Sequence, residues 1–316
     1  MKFLVNGSIA FDLLLSHEGS FLSGIDAKNL DRLSVNYLAQ GYKRHHGGVA
    51  ANIGWNLALL GHEPLLLGAV GTDGSDYLRL LRSKGVDVSR VDTVKDAVTA
   101  TAVIATDIDE RQISFFHPGA DALGTLPDFS ALNLKRDVVF GIMGPRNPML
   151  MLQGAEMCAK HGIPYLFDPG QVVHAFGKDE FRRAVSGSAG LVVNEYEWGL
   201  ASGKLGWKDA DVVQASGMLI VTLGDKGIRF VTREEDLTIP ACKPERIVNP
   251  TGAGDAARAA ILIGLASNWT LRNIGRFAAI LGCLLVEQEG TLLDSLDLKT
   301  VQKRATENYG ELLPSL

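Results

Sequence analysis

The feature that most restricts the fold of this chain is the alternation of short apolar runs with longer segments of helical periodicity. The apolar runs lie at 3–5, 65–70, 138–142, 165–167, 191–193 and 219–222. Runs of this kind are typical of strands buried on both faces of a parallel sheet. The helical windows lie at 49–60, 76–84, 149–160, 180–185, 208–215, 254–267 and 271–286. The sequence therefore predicts an α/β fold in which a mostly parallel sheet lies between layers of helices.

Two stretches interrupt this alternation, at about 13–46 and 97–117. They contain alternating or β-branched segments, such as 98–104 and 112–116, which are typical of half-exposed antiparallel strands. Because the stretches follow the first strand and the second βα unit, we expect them to form one small sheet that covers a site at the strand ends. No Pro/Ser-rich linker and no repeat divides the chain, so we expect a single domain over 1–316 with this small sheet as a lid.

Composition restricts the partners and the compartment. Lys and Arg number 31 against 36 for Asp and Glu, a net charge of −5, and no basic block suits a nucleic acid. The apolar runs at 259–266 and 277–286 are too short to cross a bilayer. The 3 cysteines lie far apart, which favours reduced thiols. We therefore expect a cytoplasmic protein that acts on a small molecule, without a nucleic acid or membrane partner.

The segment 249–255, Asn-Pro-Thr-Gly-Ala-Gly-Asp, is a glycine-rich turn directly before a predicted helix. Backbone N–H groups at a helix N-terminus are unpaired and favour a phosphate or a developing anion. Asp255, in the first turn, can accept a proton from an attacking hydroxyl, so the segment indicates phosphoryl transfer to an alcohol. We expect its pKa to lie near or below 4, because a helix N-terminus stabilises a carboxylate. The alternative is a purely structural turn closed by an Asp cap.

A second glycine-rich segment points to a polyhydroxylated substrate. Gly47 and Gly48 permit a close approach of the backbone at a helix start, and Asn52 lies about one turn into that helix. Asp12, with Ser8 near it, can accept hydrogen bonds from two adjacent hydroxyls. The structural alternatives are a loop cap for Asp12, a hinge at the two glycines and simple surface exposure for Asn52.

Two more polar segments follow buried strands, at the carboxyl ends where open α/β sheets bind ligands. Asn194 and Glu197 could hold a phosphate and, through water, Mg²⁺, which prefers oxygen ligands. Residues 222–227, Thr-Leu-Gly-Asp-Lys-Gly, are typical of a turn beside a nucleotide. The alternative for this segment is an ordinary hairpin connection into 228–231.

Motifs of other enzyme classes are missing. The sequence has no Gly-x-Ser-x-Gly elbow and no Gly-x-x-x-x-Gly-Lys-Ser/Thr loop, so neither a serine hydrolase nor a Walker-type ATP site is indicated. At 68–71 the third glycine comes too late for a dinucleotide fingerprint. His45 and His46 are adjacent and lack a third ligand nearby, which argues against a metal site.

These motifs together resemble the ribokinase-like (PfkB) carbohydrate and nucleoside kinases, over nearly the whole chain from 7–12 through 47–52 to 251–255. The resemblance implies a ribokinase-like three-layer α/β/α sandwich with a small β-sheet lid. It implies ATP as the phosphoryl donor, with Mg²⁺, and a sugar hydroxyl as the acceptor. Asp255 would be the base, and the N–H groups of Gly252, Ala253 and Gly254 the anion hole. The residues implied in ATP binding are Asn194, Thr222, Gly224, Gly227 and Thr251.

Within the family the chain looks most like bacterial adenosine kinases, on the segments 47–52, 115–120, 168–171 and 194–198. That likeness implies that Phe116 stacks on a base and that Gln171 contacts it. It predicts phosphorylation of the primary hydroxyl of adenosine. The alternatives are a sugar kinase of the ribokinase or fructokinase type and a catalytically silent nucleoside-binding protein.

The chain departs from the family at two positions. Asn249 replaces an Asp that is associated with bound K⁺, and since a neutral amide weakens a cation site, K⁺ activation stays open. An aromatic expected near Ala102, on the other face of the base, is missing. Exposed edges of the lid strands could also pair in a homodimer.

Overall fold

The computed structural model of the protein describes residues 1–25, 34–127 and 137–315. Residues 26–33 of the first predicted lid stretch lie outside the described residues. The strands in the described part are β1 (Lys2–Asn6), β2 (Ala10–Ser16), β3 (Gly41–Gly47), β4 (Glu63–Leu67), β5 (Ala69–Val70), β6 (Asp92–Thr93), β7 (Ala100–Thr106), β8 (Gln112–His117), β9 (Val138–Met143), β10 (Tyr165–Phe167), β11 (Gly190–Asn194), β12 (Leu219–Thr222), β13 (Ile228–Val231) and β14 (Asp236–Ile239).

Seven of the helices in the same ranges begin and end close to the predicted windows. The helices in these ranges are α1 (Val49–Leu59), α2 (Ser75–Ser83), α3 (Ala120–Leu123), α4 (Pro148–His161), α5 (Lys178–Ser186), α6 (Glu195–Leu205), α7 (Asp209–Ser216), α8 (Ala253–Ala266), α9 (Leu271–Val286) and α10 (Leu298–Tyr309). No helix in these ranges combines the length and the apolar character that a membrane crossing needs.

An eight-stranded sheet in the order β14-β13-β12-β11-β10-β9-β1-β4 carries the fold. The strands from β12 to β4 pair in parallel, and β13 and β14 add an antiparallel edge. Alternate residues enter opposite cores: Phe3 and Val5 pack with α1, α8 and α9, whereas Leu4 packs with α4, α5 and α6. The predicted three-layer α/β/α sandwich with a mostly parallel sheet is therefore confirmed, because strands buried on both faces need a helix layer on each side.

A second sheet, which we call the lid sheet, has the order β3-β2-β7-β8. Asp12 lies opposite Ala102 in β7, and Ala102 lies opposite Phe116 in β8. Residues opposite one another in a sheet point to the same face, so Asp12 and Phe116 share the face that looks toward the main sheet. Asp12 thus belongs to a lid strand and not to a loop after β1, which removes the loop-cap alternative.

The structure differs from the sequence prediction at the strand 65–70, and it contains helices α3, α6 and α10 and strands β6 and β14 that the sequence did not predict. The predicted strand 65–70 is split at Gly68, where a Cβ would lie 3.1 Å from the Gly7 carbonyl oxygen. Helices α6 and α10 were not predicted, because α6 carries two glycines, Gly199 and Gly203, and α10 is largely polar with few buried side chains. Side-chain caps start both helices: Asn194 accepts from the Glu197 N–H, and Asp297 from the Lys299 N–H.

Candidate active site

A cleft of about 1530 Å³ lies at the carboxyl ends of the parallel strands, beneath the lid sheet. Its walls come from the start of α8, from the segments after β10, β11 and β12, and from Phe116 of the lid sheet. Pockets for one small ligand usually measure roughly 300–1,000 Å³. The cleft is therefore large enough for two ligands side by side.

Most of the predicted site residues lie on the wall of this cleft. They are Ser8, Phe116, Gln171, Asn194, Glu197, Thr222, Gly224, Gly227, Gly252, Ala253, Gly254 and Asp255. The other predicted residues, Asp12, Gly47, Gly48, Asn52 and Thr251, do not line it. In this second group, Asn52 contacts the wall residue Asp255, Gly48 lies beside the wall residue Ser8, and Gly47 lies beside Asp12.

The turn before α8 needs glycine at Gly252. Its φ is +88°, and a Cβ there would lie 2.8 Å from Leu285 Cδ2 and 3.1 Å from Thr291 Cβ. Among the described residues, the N–H groups of Gly252 and Gly254 have no hydrogen-bond partner, whereas the Ala253 N–H donates to the Pro250 carbonyl at 3.3 Å. The helix start therefore presents two free donors and a third that is held by one long bond.

Asp255 is held by a chain of side-chain contacts. Asn52 Nδ2 donates to Asp255 Oδ2 at 2.8 Å, and Asn52 Oδ1 lies 3.0 Å from the Thr291 hydroxyl. The Thr291 hydroxyl also lies 2.6 Å from the carbonyl oxygen of His46, at the end of β3. Asn52 is only 3 % exposed, so the alternative of simple surface exposure is wrong. Its oxygen faces a hydroxyl and its nitrogen faces the carboxylate, which fixes the amide orientation.

The pKa of Asp255 is raised to about 6, contrary to the value near or below 4 expected from the helix terminus. Burial is the main cause, and the nearby carboxylates of Asp168 and Asp12 raise it further. The Arg258 cation and the hydrogen bond from Asn52 act in the opposite direction. A carboxylate with a pKa near 6 is a better proton acceptor than an exposed one and is still mostly ionised at neutral pH.

A buried charge cluster that sequence reasoning missed lies next to Asp255. Arg258, three residues further along α8, donates to the Asp168 carboxylate through Nε and, at 3.2 Å, through Nη2. Asp168 follows β10 and is fully buried; Glu197 is almost as deeply buried, and burial followed by the Asp168 charge raises its pKa. The signal in the sequence was an arginine within the otherwise apolar run 256–263.

Two glycines, Gly47 and Gly48, bring the lid sheet close to α1. Gly48 has a φ of +94°, and a Cβ there would lie 2.5 Å from the Ala10 nitrogen. A Cβ at Gly47 would lie 2.6 Å from Asp12 Oδ2. Ser8 Oγ accepts from the Val49 N–H at 3.2 Å, at the start of α1. Burial raises the pKa of Asp12, and the charge of His45 across the strands lowers it. The close backbone approach predicted for Gly47 and Gly48 is thus an approach to the lid sheet.

On the other side of the cleft, Asn194 and Glu197 form a capping box. Asn194 Oδ1 accepts from the Glu197 N–H at 2.7 Å, and Glu197 Oε2 accepts from the Asn194 N–H at 2.8 Å. Thr222 pairs with Ile228 in an antiparallel hairpin, so the hairpin alternative describes the local structure. The same hairpin also lines the cleft, where Gly227 has a φ of +110°.

Two exposed side chains, those of Phe116 and Gln171, line the cleft. Phe116, on β8, is 60 % exposed, so it is not a core residue of the lid sheet. Gln171 lies on the 3₁₀ turn Gly170–Ala175 and is exposed. The structure brings both to the same cleft and leaves their side chains available to a ligand.

Comparisons with known proteins agree with this architecture. The family model described as pfkB family carbohydrate kinase matches residues 19–297. The nucleoside kinase of Methanothermobacter thermautotrophicus is 32% identical over 271 residues, which cover 84% of this chain and 86% of that protein. The nucleoside kinase of Methanocaldococcus jannaschii is 30% identical over 250 residues, 78% of this chain and 81% of that protein.

Among solved structures, the nucleoside kinase of Burkholderia thailandensis in complex with inosine superimposes with a TM-score of 0.86 at 30% identity, over 99% of this chain and 100% of that one. Arabidopsis thaliana ribokinase, complexed with ribose and ATP, has a TM-score of 0.78 at 21% identity, over 96% of this chain and 97% of that one, and supports the fold alone. This chain belongs to the pfkB family of carbohydrate kinases, the phosphotransferases that its cleft and helix start indicated.

Proposed function

We propose that the protein is an ATP-dependent nucleoside kinase that transfers the γ-phosphoryl group of ATP to the primary hydroxyl of a ribose-containing substrate, with adenosine as the favoured acceptor. The observation that carries the proposal is the buried Asp255 carboxylate beside free N–H groups, at the start of a helix that opens into a two-ligand cleft. The curated relatives named as nucleoside kinases, and the structural neighbour that contains inosine, support a nucleoside as the acceptor class.

Each end of the cleft would bind one of the two substrates. Ser8, Phe116 and Gln171 line the end below the lid sheet, where the nucleoside would bind, with Asp12, Gly47, Gly48 and Asn52 forming the layer behind. Phe116 offers an aromatic face to a base. The opposite end carries Asn194, Thr222, Gly224 and Gly227, with Thr251 on the turn before α8, and would bind ATP. Asp255 lies between the two ends, where the acceptor hydroxyl and the γ-phosphorus would meet.

Asp255 would accept the proton of the ribose hydroxyl as the oxygen attacks the phosphorus. The N–H groups of Gly252, Ala253 and Gly254 would stabilise the charge of the transferred group. For Ala253 this requires that the long contact to Pro250 yields to the phosphoryl oxygen. Because the Asp255 pKa lies near 6, the carboxylate is available as a base at neutral pH.

The residues present fit Mg²⁺ held indirectly. Glu197 lines the cleft, but one of its oxygens already accepts from the Asn194 N–H. Burial and the Asp168 charge raise its pKa, so a nearby cation would stabilise its ionised form. Glu197 would therefore hold the ion through water, with Asn194 beside it. The ion would neutralise phosphate charge on ATP.

Acceptor screening tests this function. Release of ADP would be measured with adenosine, inosine, guanosine, ribose and fructose at equal concentrations. Adenosine should give the highest kcat/KM, and ribose or fructose should be poor acceptors because they do not reach Phe116 and Gln171. Faster turnover with ribose or fructose would indicate a sugar kinase. Thermal stabilisation by adenosine without any ADP release would indicate a silent nucleoside-binding protein.

The lid sheet supports a homodimer as the assembly. On its outer face, Leu13, Val103 and Phe115 lie opposite one another, and Leu15 lies opposite Tyr42. Phe115 is 70 % exposed and Tyr42 is 65 % exposed, which leaves an apolar face without a partner in the described residues. We propose that residues 1–316 act as one domain, whose lid is built from the two predicted stretches, about 13–46 and 97–117, together with the start of β2 at Ala10, and that two lids associate. Phe115→Ser should shift the sedimentation coefficient to that of a monomer; a wild-type monomer at micromolar concentration would contradict the dimer.

A further inference from the structure

Arg258 occupies a position where an arginine is costly. It lies on α8, it is 7 % exposed, and its neighbours Ala256, Ala257, Ala259 and Ala260 are buried. A buried guanidinium is stable only when it is paired and hydrogen-bonded. Its presence therefore requires specific partners.

One edge of the guanidinium has such a partner. Nε and Nη2 donate to the two oxygens of the Asp168 carboxylate. Asp168 is itself oriented by the Gly170 N–H, which donates to its Oδ1 at 3.2 Å. A two-point contact with an oriented carboxylate fixes the plane of the guanidinium, and with it the direction of the remaining nitrogen.

The other edge has no such partner. Within the described ranges, Nη1 of Arg258 makes no hydrogen bond, although the side chain lines the cleft. A Cβ built on Gly254 would lie 2.7 Å from Nη1. The nitrogen therefore lies beside the first turn of α8, where the N–H groups of Gly252 and Gly254 are also free. Three donors, one of them cationic, are thus grouped at one place on the cleft floor.

We propose that Arg258 is a further catalytic residue, whose Nη1 donates to the transferred phosphoryl group together with the amides at the start of α8. This assignment rests on the proposed kinase function. In the step, the acceptor oxygen forms a bond to the γ-phosphorus and its proton passes to Asp255. The bond from that phosphorus to the bridging oxygen breaks, and ADP keeps the electron pair. Arg258 would neutralise charge on the equatorial oxygens during this exchange.

The proposed position of the guanidinium requires glycine at Gly254. A methyl group at this position would press on Nη1 of Arg258 and move it away from the phosphoryl group. Gly254→Ala should therefore lower kcat while it keeps every charge of the buried cluster. This variant separates the position of the guanidinium from its role in folding.

The main test compares wild type with Arg258→Gln/Asp168→Asn, in which both partners of the buried ion pair become neutral. Steady-state kinetics should show a fall in kcat of about 10²–10³, the range for loss of one oxyanion donor. The KM for adenosine should change little, because Nη1 contacts the phosphoryl group and not the nucleoside. Guanidinium chloride at millimolar concentration should restore part of the rate in Arg258→Ala. The matched control is Arg276→Gln, another buried arginine, which pairs with Glu311 outside the cleft.

The results distinguish a wrong assignment of Arg258 from a wrong assignment of the kinase function. An active wild type whose double variant keeps a near-normal kcat would overturn the Arg258 assignment alone. So would an equal loss of rate in Arg276→Gln, which would indicate a general effect of buried arginines on the fold. A folded wild type that releases no ADP with any acceptor would overturn the proposed function, and the Arg258 assignment with it.

Discussion

The side-chain nitrogen of Asn52 donates to the carboxylate of Asp255 across 2.8 Å, although the two residues are 203 positions apart in the chain. The contact joins the first turn of α1 to the first turn of α8, the two helices that follow the glycine-rich segments. Through the Thr291 hydroxyl it also reaches the His46 carbonyl at the end of a lid strand. The lid sheet and the proposed base are thus connected by a short series of hydrogen bonds.

The pH dependence of turnover should reflect the ionisation of the Asp255 carboxylate. Its pKa of about 6 means that the carboxylate is protonated below pH 6 and ionised above it. If the ionised form is the base, kcat/KM should rise tenfold per pH unit below 6 and level off above 7. The ionisable groups that interact with it are Asp12, Asp168, Tyr77 and Arg258. A profile that is flat from pH 5 to 8, with chemistry limiting the rate, would contradict the role of Asp255.

Removal of the Asn52 amide should shift the acid limb of the pH profile, the range below pH 6 in which kcat/KM rises with pH. Asn52→Ala takes away a hydrogen bond that favours the ionised carboxylate, so the pKa of Asp255 should rise by about 1 unit, the equivalent of one charge-assisted bond. The acid limb of kcat/KM should move to higher pH by the same amount. Asn56→Ala is the matched control, because Asn56 is a buried asparagine one turn further along α1 and bonds to the Asn52 carbonyl. Equal shifts in both variants would show that Asn52 has no special role.

Gly48, at the lid junction, should tolerate alanine far less well than Gly85, which follows α2. Gly48 and Gly85 have similar φ values, +94° and +90°, but a Cβ at Gly48 meets backbone atoms at 2.5 Å and one at Gly85 meets nothing within 4 Å. Gly85→Ala should cost roughly 1–2 kcal/mol, the strain of the left-handed conformation. Gly48→Ala should cost about 3 kcal/mol or more, at the upper end for single substitutions. Urea denaturation measures the free energy of unfolding of both variants. Equal losses would show that the positive φ, and not the contact of the Cβ with backbone atoms, causes the destabilisation.

The dependence of kcat on K⁺ should be determined by residue 249, which is an asparagine in this chain. Its Oδ1 already accepts from the Thr251 N–H at 2.9 Å, and as an amide it carries no charge to hold a monovalent cation. Replacement of K⁺ by Na⁺ should change kcat by less than about twofold, because hard cations are held mainly by charged oxygen ligands. Asn249→Asp should introduce a dependence on K⁺. Strong activation of the wild type by K⁺ would show that backbone oxygens suffice.

The fold was predictable from sequence because its signals are local. Runs such as 165–167 and 219–222 are apolar throughout, and only strands buried on both faces need that pattern, so the sandwich followed from them. Helix α6 was missed because Gly199 and Gly203 weaken its periodicity, while its capping box depends on the paired side chains of Asn194 and Glu197.

The chemistry of the site was only partly predictable. The segment 252–255 predicts that Asp255 lies at a helix start. The pKa of Asp255, however, is raised mainly by burial and then by the charges of Asp168 and Asp12, which lie in distant parts of the chain. The local rule for helix termini therefore gave the wrong direction. The pairing of Arg258 with Asp168 likewise depends on the meeting of α8 with the end of β10, 90 residues away in the chain.

The most direct measurement is the rate of ADP release with adenosine for wild type and for Asp255→Asn at pH 7.5. The amide has nearly the shape of the carboxylate but cannot accept the proton, so kcat should fall by about 10²–10⁴. The variant should fold normally and bind ATP with unchanged affinity, since a neutral group replaces a buried charge. A folded variant that binds ATP and keeps a near-normal kcat would contradict the account.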